Sequence, residues 1–123
     1  MQMMQVKNLS RMTMIGDQVR VADSSITRMV GLLGRRGLEP GEGLWIRPSS
    51  GVHTVGMRFP IDVIGLDREL RIVRLWRELV PYRVTSVSFR LKSVIELSAG
   101  QIAASGSEIG DVVTIFGAAT QAS

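Results

Sequence analysis

Leu66-Asp67-Arg68-Glu69-Leu70-Arg71-Ile72-Val73-Arg74-Leu75-Trp76-Arg77-Glu78-Leu79-Val80 is the stretch that decides the fold class. As a helix it gathers Ile72, Val73, Leu75, Trp76, Leu79 and Val80 on one side. Arg71, Arg74, Arg77 and Glu78 fall on the other, and only Leu70 is misplaced. As a hairpin it turns at Asp67-Arg68-Glu69 and continues as a strand. The alternation is then poor, because Ile72, Arg74, Trp76 and Glu78 share a face. Pattern alone favours the helix.

Downstream the chain is short-ranged and β-prone. Val94-Ile95-Glu96-Leu97 reads as a strand. Ser98 offers an N-cap for a short helix over about 98–105, stopped by Gly106. Gly110-Asp111 turns into a final strand, Val112 to Phe116, and 118–123 are expected to fray.

Upstream, Val52 to Leu66 is β-rich, with Pro60 marking a bulge or an edge. Gly43-Leu44-Trp45-Ile46 is a short strand ended by Pro48-Ser49-Ser50-Gly51, and 34–43 reads as a loop. The clearest helix covers about 25–34. Ser24 or Ser25 caps it, Ile26, Met29, Val30 and Leu33 recur at helical spacing, and Gly34 stops it. Gly16-Asp17, between two β-prone runs, reads as a hairpin turn. Residues 1–5 are expected to fray.

These elements imply one α+β, mainly β domain over 1–123, with a compact barrel-like antiparallel or mixed sheet. With 123 residues, 45% hydrophobic and 21% charged, the chain can bury a core. The absence of cysteine excludes disulfides and thiolate metal sites, and a single histidine excludes HExxH centres. We expect no metal and no cofactor.

The formal charge is +4, yet the pI is about 10.6. Only Lys7 and Lys92 are lysines; the remaining basic residues are arginines, which stay charged throughout. The high pI therefore reflects how little titrates, and nucleic acid ranks last among partners. The first residues lack a basic region followed by an apolar one, and no window is apolar enough to span a membrane. The expected setting is soluble and cytoplasmic.

Three runs occur in order: Arg28-Met29-Val30-Gly31-Leu32-Leu33-Gly34-Arg35, Gly43-Leu44-Trp45-Ile46-Arg47-Pro48, and His53-Thr54-Val55-Gly56-Met57-Arg58-Phe59-Pro60-Ile61-Asp62-Val63. Leu66-Asp67-Arg68, Val94-Ile95-Glu96-Leu97-Ser98-Ala99-Gly100 and Gly110-Asp111 follow. Their order and spacing resemble the family catalogued as domain of unknown function 192, widespread in bacteria and archaea. The similarity runs from about Val19 to Val113, and the run around His53 is its specific part.

The resemblance implies a compact, mostly β domain and no established activity. Many relatives look secreted or membrane-anchored. It also implies that Leu66-Asp67-Arg68 leads into a β-hairpin, so we expect residues 70–80 to form a strand despite the helical pattern. This chain departs from the family in two places. Val55 stands where relatives often carry an aromatic, and Glu69-Leu70 stands where they carry Asp-Gly.

Candidate chemistry rests on few residues. His53 is the only imidazole; it could serve as a general base near neutral pH, or it could be a half-buried histidine that holds a loop by hydrogen bonds. Asp62 lies between Ile61 and Val63 and Glu96 between Ile95 and Leu97, so each carboxylate needs a partner or a function. Arg58, Arg74 or Arg77 is the expected partner of Asp62. The first functional reading is a non-catalytic binding or accessory domain. Its pocket would be lined by His53, Thr54, Met57, Arg58 and Asp62, for a small anionic ligand or an acidic protein partner. The alternative is a small hydrolase using His53 with Asp62 or Glu96, and the third is a nucleic-acid-binding domain. No phosphate loop, nucleophile elbow or dinucleotide fingerprint occurs.

Overall fold

The structure is a computed structural model that describes residues 3–24, 35–50, 58–80 and 90–117. Among these residues seven strands form one sheet: β1 (Met3–Asn8), β2 (Thr13–Ala22), β3 (Glu42–Ile46), β4 (Ile61–Leu66), β5 (Ile72–Leu79), β6 (Ser93–Ser98) and β7 (Val113–Gly117). One short helix, α1 (Gln101–Ser105), follows β6. The ladder order is β5-β4-β6-β3-β2-β1-β7, antiparallel except for the parallel pair β2–β3.

The sheet curls until its two edge strands meet. Arg71 bridges Val112, and the backbone N–H groups of Ile72, Gly110 and Val113 bond the carbonyls of Asp111, Ile72 and Leu70 at 2.8, 2.8 and 2.9 Å. This seam gives partners to backbone groups that an edge would leave open.

Two apolar layers result from the strand alternation. Val6, Ile15, Val19, Trp45, Ile64, Leu66, Ile95 and Leu97 belong to the layer that also takes in Ile102 of α1. Ala22, Leu44, Ile46, Ile61, Val63, Leu91 and Val94 make the second. The two sets interleave along β3, β4 and β6, as a period-2 chain buried on both faces requires.

The contested stretch is a strand. Asp67 to Arg71 form its turn: Leu70 N–H bonds Asp67 O at 3.1 Å, and Asp67 N–H bonds Arg71 O at 3.0 Å. Leu70 adopts φ 62, the left-handed conformation that glycine usually supplies in such three-residue hairpins. The turn therefore reaches this conformation without a glycine. The helical pattern failed because β5 carries a bulge. Ile61 faces Leu79 but Val63 faces Trp76, so Arg77 and Glu78 together oppose Asp62, and the strand's alternation slips by one.

Three expectations need correction. The first hairpin does not turn at Gly16-Asp17. β2 continues through that pair, with a register shift against β1 on either side of Gly16, and the chain turns at Leu9–Met12, with Met12 at φ 56. Gly16 serves close approach instead, since a Cβ there would lie 2.8 Å from Val19 Cγ2. Residues 3–5 do not fray; they lie in β1, paired with β2 on one side and β7 on the other. Ser98 does not cap α1, whose N-cap is Gly100 at φ 94 with no capping bond from its own side chain. Pro60 directly precedes β4 and so costs the ladder nothing. The helix expected over 25–34, like residues 118–123, lies outside the described residues.

Candidate functional site

Asp62 and Glu96 occupy neighbouring rungs of the β4–β6 ladder. Asp62 faces Leu97, and Glu96 faces Val63. Directly opposed residues share a face and successive ones alternate, so the two carboxylates point to opposite sides of the sheet. They do not converge.

Asp62 is 1% exposed, and its oxygens accept three backbone N–H bonds. Oδ1 takes Glu78 N–H at 2.8 Å, and Oδ2 takes Gly100 at 3.1 Å and Ile102 at 2.8 Å. The bulge, where Glu78 sits at φ 51, frees the first donor, and the start of α1 supplies the others. The expected arginine partner is thus replaced by the backbone. Arg58, Arg74 and Arg77 are all exposed.

Glu96 is the opposite case. It is buried in the second apolar layer, faces Leu44 and Val63, and makes no hydrogen bond among the described residues. Burial alone pushes its carboxyl up to about 7. His53, Thr54 and Met57 lie outside the described residues. Among those described, no group of three or more His, Cys, Asp or Glu residues is placed to hold a metal ion, and no helix is long and apolar enough to cross a membrane.

A second polar cluster stands behind the seam. Buried Asn8 donates to Ser107 Oγ at 3.1 Å and to Asp111 Oδ2 at 2.9 Å. The same oxygen accepts Arg11 Nε at 2.6 Å and Glu108 N–H at 3.0 Å. Burial raises the Asp111 carboxyl, but the bonds from Arg11, Asn8 and Glu108 outweigh it and leave the pKa lowered. These groups occupy one another fully and form a structural lock.

The described residues that remain open line a cleft of about 570 Å³. Its walls come from three strand ends that the ladder order β4-β6-β3 brings side by side. β3 contributes Trp45 and the Arg47-Pro48 that follows it; that peptide bond is cis. The β4–β5 turn contributes Arg68 and Leu70, and the approach to β6 contributes Lys92.

Arg47 stacks its guanidinium 4.4 Å from the centre of the Trp45 ring. Asp23 lies 3.9 Å from Arg47, a long and exposed pair. Arg68 and Lys92 make no ion pair among the described residues. Asp67, also at the cleft, is occupied by its own turn: Oδ1 accepts Glu69 and Arg71 N–H, each at 2.9 Å. The Trp45 indole N–H is buried and has no partner among the described residues. Such orphans are uncommon in folded proteins.

None of the cleft's cations was singled out as a site residue by the sequence. Each sits just beyond a strand end, which is the one signal that could have found them.

A family model described as "Uncharacterized ACR" (DUF192) matches residues 6–115. No curated protein matches the chain. Two solved structures share the fold. One is a protein of unknown function from Novosphingobium aromaticivorans DSM 12444, with a TM-score of 0.77 and 22% identity over 91% of this chain and 83% of that one. The other is described as a "putative transcription regulator" from Sinorhizobium meliloti 1021, with a TM-score of 0.77 and 21% identity over 92% of each chain.

Proposed function

The chain belongs to the domain of unknown function 192 family, and from that premise we propose that it is a non-catalytic binding domain. Its seat for an anionic ligand is the cleft between Trp45, Arg68 and Lys92. The observation that carries this reading is the convergence on a cleft with apolar walls of Arg68 and Lys92, which make no ion pair among the described residues. Small-molecule sites combine these two properties, and the volume lies in their usual range of roughly 300–1,000 Å³. Binding is favoured over hydrolysis because Asp62 spends its oxygens on three backbone donors and Glu96 faces away from it. His53 and Thr54 lie outside the described residues, and we retain them as proposed ligand contacts on the strength of the sequence alone.

Thermal denaturation in sulfate against chloride at matched ionic strength tests the proposal. A ligand that binds only the folded state raises the melting temperature with its concentration. We expect a sulfate-dependent rise that Lys92→Ala with Arg68→Ala abolishes and His53→Ala reduces. Equal melting in both salts overturns the reading.

Nucleic-acid binding is a second reading. The description of the Sinorhizobium relative and the exposed Arg74 and Arg77 on β5 favour it. An oligonucleotide titration would then show affinity falling steeply with salt.

A further inference from the structure

The cleft does not end at Arg68 and Lys92. A second cavity of about 370 Å³ lies beyond them, lined by Asp67, Arg68, Glu69, Arg90 and Lys92. Asp67, Arg68 and Lys92 line both cavities. The two therefore adjoin as lobes of one groove along a shared ridge of two cations, Arg68 and Lys92, and one carboxylate, Asp67. The first lobe has the apolar walls, from Trp45, Pro48 and Leu70. The second has Arg90, which also makes no ion pair among the described residues.

Resting on the anion-seat reading above, we infer that the groove takes a phosphate monoester carrying an aromatic or other apolar body. The body fills the first lobe, and the phosphate sits on the ridge between Arg68 and Lys92.

Three features select this class. First, two unpaired cations on one ridge match a dianion better than a single negative charge. A phosphate monoester near pH 7 carries about −1.5 to −2 and three acceptor oxygens. Carboxylates and sulfonates carry one charge. Second, cations outnumber carboxylates along the groove: Arg47, Arg68, Arg90 and Lys92 line it against Asp23, Asp67 and Glu69, and Asp67 Oδ1 is also engaged by its own turn. Third, the lobe beside the ridge is walled by an indole, a proline ring and a leucine, which gain from covering an apolar surface and give nothing to a bare inorganic ion. Arg47, 4.4 Å from the centre of the Trp45 ring, and its long-range partner Asp23 line the same lobe.

The test uses the full chain with Trp76→Phe, which leaves Trp45 as the only tryptophan reporter. Phenyl phosphate, inorganic phosphate, benzenesulfonate and benzyl alcohol are titrated by indole fluorescence and calorimetry. We expect phenyl phosphate to bind at least about tenfold more tightly than either inorganic phosphate or benzenesulfonate, and benzyl alcohol not to bind. Lowering the pH from about 7.5 to about 5 protonates the monoester and should weaken it several-fold, while benzenesulfonate stays unchanged. Lys92→Ala should remove most of the preference for phenyl phosphate over benzenesulfonate.

If inorganic phosphate binds as tightly as phenyl phosphate, the apolar body is refuted and the anion seat stands. If benzenesulfonate equals phenyl phosphate, the dianion preference is refuted. If no anion binds, both this inference and the function it rests on fall.

Discussion

At the seam, Asp111 accepts from Asn8, Arg11 and Glu108, and Asn8 also reaches Ser107. At the cleft, Arg68, Arg90 and Lys92 meet no carboxylate among the described residues. Both regions are polar, and both are built from strand ends and loops. They differ in whether their groups are used up. A polar group that closes on the protein stabilises one conformation. A polar group left open beside a cavity adds little to folding and remains available to a ligand. Asp62 belongs with the seam, since all its bonds run to the backbone of β5 and the α1 segment. Glu96 belongs with neither, being buried but unmatched.

Breaking the closed side should cost most. Asp62→Ala strands three N–H donors, two of them on a helix start, and should destabilise the fold by about 4 kcal/mol. Asp62→Asn retains one acceptor oxygen and should cost roughly half as much. Urea denaturation measures both; a loss under about 1 kcal/mol for Asp62→Ala would show that the three bonds hold little.

Glu96 sharpens the comparison through pH. Its folded-state pKa of about 7 lies above the ordinary value near 4.5. The folded protein therefore holds this proton more tightly than the unfolded chain does. Its contribution is full below about pH 4.5 and is lost as the pH rises to about 7, by roughly 3 kcal/mol in all. Glu96→Gln should flatten that slope between pH 5 and pH 8 in denaturant melts. A wild-type protein equally stable at both pH values would place a partner on Glu96.

The smallest effect is expected on the open side. Arg68→Ala and Lys92→Ala should each change stability by less than about 0.5 kcal/mol, because neither makes an ion pair among the described residues. A larger loss would move those residues to the closed class and weaken the case for a ligand.

Much of this fold was legible in the sequence, but for uneven reasons. Gly43 to Ile46, Val94 to Leu97 and the last strand announce themselves by short β-prone runs between turn residues. β5 did not, because its bulge at Arg77–Glu78 mixes the periods, and only the family pattern around Leu66-Asp67-Arg68 pointed to the hairpin. Gly16-Asp17 misled because a glycine required for close approach looks the same in sequence as one required for a turn. For Asp62 the sequence signalled a buried carboxylate and left its partner open, since the answer lay in backbone 16 and 38 residues away. The cleft was invisible for a related reason. Arg47, Arg68 and Lys92 meet only because β4, β6 and β3 are adjacent in the ladder, and nothing local encodes that order.

The placement of β1 between β2 and β7 has a consequence for how the protein is made. Synthesis delivers β1 before the other strands of the sheet and its outer neighbour β7 after them. Until residues 111–117 emerge, Asn8 lacks Asp111, the seam cannot shut, and β1 presents an unpaired edge of the kind that templates association. Bacterial and eukaryotic ribosomes add roughly 5–20 residues per second, so each nascent chain passes through such an interval. A product cut short before Asp111 would remain in that state. The domain therefore carries its own proof of completion: the last strand to arrive is the one that hides the first.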